Sequence, residues 1–197
     1  METLTISWCS VPMHLDTLPT TATTTATGVS ASAHGLPLVT GTARALTLTA
    51  TIGTGLVAGV FFAFSTFVMP GLRRAPEQAG LQAMQGINAA APNPLFMLVL
   101  LGTAGVCVAL GGRSLLHLDE PGATLRLAGS AVYLAGILLT IAWHVPHNDA
   151  LATVDPSSAE GVRAWNRYYG PWTLLNHVRT LTSIGGFALL LTALVSD

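Results

Sequence analysis

PWTLLNHVRTLTSIGGFALLLTALV, residues 171–195, is the stretch on which the fold turns. Arg179 is its only charged residue, and the run is longer than the roughly 20 residues that cross the hydrocarbon of a bilayer. Its polar groups fall in register. Trp172, Asn176, Arg179 and Ser183 stand at i, i+4, i+7 and i+11, one continuous stripe of an α-helix, with His177 and Thr180 on the flank. An arginine at that depth costs on the order of 3 kcal/mol unless it is paired or reaches water. The stripe is therefore predicted to face other helices, with Asp149 the leading candidate partner for Arg179.

Those helices are found by reading backwards and forwards from it. Ala45 to Met69 has no charged residue, nor has Pro94 to Leu110, and a third apolar run extends from Arg126 through Trp143. The expected fold is all-α: a four-transmembrane-helix bundle with spans at about 45–69, 94–111, 125–145 and 171–195. Composition agrees. The chain is 51% hydrophobic and 9% charged with mean hydropathy +0.59, whereas a soluble domain is about a quarter charged. A net charge of −1 with eight arginines, scattered and without lysine, argues against a nucleic-acid partner. The partners expected are the lipid bilayer and a small aromatic substrate, with a second copy of the chain as a further candidate, in a multi-pass protein of the cell membrane.

Residues 1–43 are rich in threonine and alanine with little apolar periodicity, and read as a disordered tail ahead of a membrane domain, 44–197. Cys9 falls in that tail and Cys107 in an apolar run, so no disulfide framework is implied. His14 and His34 read as solvated. In the first span Gly55 and Gly59 are a small-xxx-small pair suited to close helix approach. Thr47, Thr51, Thr54 and Ser65 lie near one stripe, predicted to face the bundle. Phe61, Phe62, Phe64 and Phe67 read first as packing or lipid contact, and second as an aromatic pocket lining.

Pro70 and Gly71 are expected to end the first span. Residues 76–91 follow, with Leu81, Met84 and Ile87 at three-residue spacing, a short amphipathic helix for the 1–2 connection. Asn88 and Asn93 bracket the join with the second span and read as cap or turn residues when taken alone. In the third span Tyr133, Thr140 and His144 share a face. Pro146 is expected to end that helix near Val145, leaving a loop of roughly 25 residues, long enough to suggest function. Within it Asp155 to Ser158 read as a turn and N-cap for a second short helix, Ser158 to Tyr169.

Four spans bring the 70–92 and 143–176 connections to one membrane face, and the chemically able residues collect there. Arg73, Arg74, Arg163, Arg167 and Arg179 against Arg44, Arg113 and Arg126 lean that face towards the cytoplasm. Aromatics at this level, Trp143, Trp165, Tyr168 and Trp172, also suit an ordinary interfacial belt.

At this point the residues carry a resemblance. W-H-V-P-H-N-D-A-L from Trp143, W-x-x-Y-x-x-x-W-x-x-x-N-H-V-R-T from Trp165, F-x-F-S-x-x-V-M-P-G-L from Phe62 and I-N-x-x-x-x-N-P-L-F from Ile87 resemble the anthrone-oxygenase-like family of small four-helix membrane proteins. The resemblance spans about residues 46–195. It implies a bundle embedded in the membrane and, from members with an assigned activity, oxidation of an anthrone to an anthraquinone by molecular oxygen. The positions that match are Asn88, Asn93, Pro94, Pro146, Asn148, Asp149, Trp165, Tyr168, Trp172, Asn176, His177 and Arg179. His144 stands where the family often has asparagine, and His147 where it often has an aliphatic residue.

Such a reaction needs a base, groups to hold a developing enolate oxygen, and a dry aromatic slot, but no organic cofactor. The roles fall to His177 as base with His144 as reserve, Asn148, Asn176 and Arg179 on the oxyanion, and Asp149 as orienter. Trp143, Trp165, Tyr168, Trp172, Asn88 and Asn93 would contact substrate. Two alternatives stand beside this. His144, His147 and His177 would suit copper or iron as a ligand set, although Pro146 disturbs the spacing. A scaffold or small-molecule carrier would use the same polar stripe for interhelical hydrogen bonds without turnover. No phosphate loop, dinucleotide fingerprint or nucleophile motif is present.

Overall fold

The computed structural model describes residues 41–196. The tail lies outside them, with Cys9, His14 and His34, except for residues 41–43, which already belong to the first helix. Five helices follow in order: α1 Gly41–Arg74, α2 Glu77–Ala90, α3 Pro94–Leu116, α4 Ala123–Ala152 and α5 Ala159–Ser196. Among the described residues there is no strand. Four of the helices, α1, α3, α4 and α5, are long and apolar enough to cross a membrane, and the chain is a multi-pass membrane protein. Around the bundle α1 packs on α5 and α3, and α4 packs on α5 and α3.

Burial is distributed as a bilayer requires. Leu48, Ile52, Leu56, Leu138, Leu174, Leu181 and Ile184 are exposed on the outside, while Thr47, Thr51, Thr54, Asn176, Arg179 and Ser183 are buried. Apolar side chains lose nothing by facing lipid, so the interior is where polar groups find partners. The three threonines return their hydroxyls to α1 itself, to the carbonyls of Ala43 (2.7 Å), Thr47 (2.7 Å) and Thr51 (3.0 Å).

The helices run further than their prolines suggest. α1 continues through Pro70 to Arg74, and α4 through Pro146 to Ala152, so neither proline is the stop that was expected. The reason is a wide π-helical turn just ahead of each, Phe64–Val68 and Thr140–His144. The residue directly before the proline bonds five residues back, Met69 N–H to Phe64 O and Val145 N–H to Thr140 O. This opens the turn where the pyrrolidine ring would otherwise meet a carbonyl. α3 has a third such turn at Leu98–Gly102. Neighbouring helices tie two of them down: Asn176 Nδ2 donates to Phe61 O at 2.8 Å, and Tyr133 Oη donates to Leu100 O at 3.0 Å.

α5 also corrects the reading of the 3–4 connection. The segment from Ala159 to Tyr169 is not a separate helix but the first three turns of a helix with Pro171 inside it. Trp165 and Tyr168 pack against Met69, Leu81, Met84 and Leu151, which holds this part helical despite the hydrogen bond lost at the proline. The expected long loop is reduced to residues 153–158. Ser158 caps it as read, its Oγ accepting from Gly161 N at 2.9 Å. The Ser157 hydroxyl (2.8 Å) and amide (2.9 Å) both donate to Asp155 Oδ1 and hold that carboxyl below its ordinary pKa.

Close helix approach falls on other glycines than Gly55 and Gly59. Gly59 faces open space, and Gly55 meets only the Phe187 ring. One tight crossing joins α1 and α3, where Gly53 meets Thr103, and another joins α4 and α5. A Cβ on Gly129 would lie 2.9 Å from Leu190 Cγ and 3.1 Å from Gly186 O. Gly129→Val is therefore expected to lower stability by about 1–3 kcal/mol, the usual cost of overpacking, read as a lower melting temperature in detergent. An unchanged melting temperature would mean that the crossing yields freely.

Candidate functional site

A cavity of about 560 Å³ lies where the three π turns face one another, in the half of the bundle covered by α2. Its walls are mostly apolar: Phe61 and Phe64 from α1, Phe96 and Leu100 from α3, Ile137 and Ile141 from α4. Asn88, Thr140, His144, Asn148, Asp149 and Arg179 supply the polar groups, and Trp172 closes one side. π turns gather at functional sites in helical proteins because they re-aim side chains that a regular helix would stack on one another. Here they turn Phe64 and His144 inward.

Arg179 is almost fully buried. Its guanidinium carbon sits 4.3 Å from the Phe61 ring centroid and 5.2 Å from that of Trp172, between two faces of negative quadrupole. Nη2 donates to Asn176 Oδ1 at 2.7 Å and Nη1 reaches Thr140 Oγ1 at 3.5 Å. Asp149 is not its partner. That carboxylate is exposed at the rim of the cavity, and no ion pair joins the two among the described residues. Asn176 stands behind the arginine: Nδ2 donates to Phe61 O and Ser65 Oγ, both at 2.8 Å, and Ser65 shares a 3.0 Å hydrogen bond with Thr180. It fixes the arginine without lining the cavity.

His144 is fully buried, in edge-on contact with Trp172 (5.3 Å) and Trp143 (5.0 Å). Neither ring nitrogen makes a hydrogen bond of good geometry among the described residues, although the backbone of Leu139 and Trp172 approaches closely enough for weak ones. Asn148 is held from behind. Its Oδ1 accepts from Tyr168 Oη at 2.7 Å and Trp172 Nε1 at 3.0 Å. An indole N–H can only donate, so the oxygen must face Trp172. The Nδ2 is left without a partner among the described residues. Asn88 Nδ2 is buried too and makes no hydrogen bond of good geometry among the described residues, although Tyr168 stands within weak reach of the side chain.

Sequence profiles place the chain at this point. That of the anthrone oxygenase family matches residues 88–189, just over half of the chain. The chain belongs to the anthrone oxygenase family. Comparison with curated proteins and with solved structures gives no match. The matched segment begins at Asn88 on the cavity's lid and runs beyond Ser183, so it contains every polar cavity residue named above.

Within this anthrone oxygenase family member the expected site residues separate into three groups. His144, Asn148, Asp149, Arg179, Trp172 and Asn88 reach the cavity. Asn176, Tyr168 and Trp165 form a second layer, Trp165 stacking on Tyr168 at 5.9 Å. His177, Trp143 and Asn93 lie elsewhere. His177, the base favoured from sequence, is exposed on the outer face of α5, one residue past the buried Asn176. Trp143 turns from the cavity, stacks on His147 at 3.9 Å and borders a separate groove with Arg167 and Pro171. Asn93 is the cap it resembled when taken alone, its Oδ1 accepting from Phe96 N at 3.0 Å. Asn93→Ala is expected to cost about 1 kcal/mol of stability and to leave ligand binding in the cavity unchanged, as titration by fluorescence would report.

The histidine ligand set is not assembled either. His144 faces the cavity, His147 the groove beside Trp143, and His177 the outside. Among the described residues no three of His, Cys, Asp or Glu are grouped to hold a metal. Phe61, Phe64 and Thr140 are cavity residues that the sequence reading did not assign as site residues. Phe61 and Phe64 stand three apart, on the side of α1 that also carries Ser65, a weak signal that the four-phenylalanine cluster masked.

Proposed function

We propose that the cavity binds a planar aromatic ketone, an anthrone or a similar phenolic polycycle, and promotes its oxidation by molecular oxygen in the cell membrane. One observation supports this above the others. Four buried polar atoms that make no well-formed hydrogen bond among the described residues, Asn88 Nδ2, His144 Nδ1 and Nε2, and Arg179 Nε, belong to three residues that line this one aromatic cavity. Buried polar groups normally have partners, so a ligand with oxygen at its edge is the natural complement. The volume falls in the range that encloses small organic ligands.

In this reading His144 accepts a proton from the methylene carbon of the anthrone, since a neutral imidazole has one acceptor nitrogen. Arg179 and the Asn148 amide hold the oxygen on which the enolate charge develops. The electron-rich enolate reduces oxygen directly. O₂ bonds at the carbanionic carbon, and the resulting peroxide takes back the proton. One oxygen remains as the second quinone carbonyl, while the other departs as water with the second methylene hydrogen. Phe61, Phe64 and Trp172 stack on the rings and keep water out.

The test is oxygen uptake by the purified protein in detergent with an anthrone, followed together with anthraquinone absorbance, with and without chelator. One O₂ consumed per anthraquinone formed, undiminished by chelation, is the expected result. No rate above the protein-free control would sink the proposal.

A further inference from the structure

The cavity wall is incomplete on one side. α3 and α4 pack closely where Thr103–Leu116 faces Ala123–Leu139. Among the described residues no comparable packing joins Pro94–Gly102 to Thr140–Ala152. The helices part at their π turns. Leu101, Ile141 and Val145 border the cavity, yet are 51%, 57% and 46% exposed on the outside of the bundle. Side chains that belong both to a cavity and to the outer surface mark a break between the two.

The depth of that break decides what lies outside it. α3 has 23 residues, roughly 34 Å of helix against a hydrocarbon layer of about 30 Å. Little of it can project from the membrane. Leu101 stands about 10 Å inside its start, at the level of acyl chains. Leu95 and Leu98, exposed on the preceding turns, continue the apolar surface towards the interface. The opposite approach, from water, is obstructed. α2 lies over that end, and Gln85 Nε2 donates to Leu151 O and Val154 O, both at 2.9 Å, fastening α2 to the end of α4. The exposed Asp149 carboxylate stands at the same rim.

We infer that the gap between α3 and α4 is the route by which the cavity is loaded, and that the substrate is a bilayer-dissolved aromatic with one polar edge. Its oxygen reaches Arg179 and Asn148 and its reactive carbon comes beside His144, while the apolar rings are left towards Leu101 and Ile141. A polycycle with ionised groups on both edges is excluded by the same geometry, because one of them would remain in hydrocarbon. This rests on the reading of the cavity as an aromatic site.

The experiment uses full-length protein in nanodiscs and anthraquinone, a planar ligand that is not turned over, with association followed by stopped-flow quenching of tryptophan fluorescence. Leu101→Phe with Ile141→Phe narrows the gap, whereas Ala89→Phe with Ala152→Phe, at two exposed residues of α2 and the end of α4 that border the cavity, narrows the aqueous rim. The first pair is expected to slow association at least tenfold, the second to leave it within twofold. Slowing by the second pair alone, by both alike or by neither overturns the lateral route. No quenching in the unmodified protein overturns the aromatic-site reading itself, and this inference with it. Should the first pair not fold, Ile141→Phe alone is measured, with at least threefold slowing expected and an unchanged rate overturning the route.

Discussion

His144→Ala is expected to lower anthrone oxidation by roughly 10²- to 10⁴-fold, the usual contribution of a positioned general base, while His177→Ala leaves the rate within about twofold. The two side chains separate a cavity role from a surface role. His144 has no exposed surface and two ring nitrogens without a well-formed hydrogen bond beside Trp172, whereas His177 faces outward from α5. His144→Gln adds a control. It keeps a polar side chain of similar reach with no basic nitrogen, so loss of rate in both variants, with an unchanged melting temperature, isolates proton transfer from packing. A full rate in His144→Gln would leave the imidazole without a chemical part. A loss in His177→Ala equal to that in His144→Ala would mean that the outer face of α5 takes part in the reaction.

How far these residues could have been sorted from sequence follows from angles. At 100° per residue Trp172, Asn176, Arg179 and Ser183 cluster on one line, and all four are buried. His177 lies about 130° from the middle of that line. The periodicity thus already pointed it outward, and only its chemical attractiveness kept it in the site. Asn93 shows the same bias, since its cap position before Pro94 was plain.

The errors along the helix axes have another origin. Pro70 and Pro146 are ordinary helix terminators in a single-sequence reading, and what overrides each is a π turn just ahead of it, fixed at Pro70 by another helix. Asn176 holds the carbonyl of Phe61 from 115 residues away. Local pattern cannot report such a bond. The same turns splay α3 from α4 and create the cavity, so the hidden part of the fold is also the part that makes the site. The four spans and the amphipathic α2 were legible because each depends on its own residues alone.

Arg179→Met should abolish most of the activity and yet cost little or no stability. Removing a donor from a developing oxyanion typically lowers kcat by about 10²- to 10³-fold, and methionine fills much of the space between Phe61 and Trp172 without charge. For the fold the balance differs. An arginine within the span costs on the order of 3 kcal/mol, and no carboxylate among the described residues offsets it, Asp149 standing unpaired with it at the rim. Against this, the substitution removes one donor to Asn176 Oδ1, a loss of about 1–3 kcal/mol. The Nδ2 of Asn176 keeps its bonds to Phe61 O and Ser65. The melting temperature in detergent is thus expected to stay level or rise while oxygen uptake falls. Arg179→Lys keeps the charge but loses the planar fork that lies on both rings, so it should recover only a fraction of the rate. A guanidinium kept merely to bind helices together predicts the opposite pattern. Arg179→Met would then melt several degrees lower, and an anthrone would be oxidised at the rate of the unmodified protein by whatever fraction remained folded.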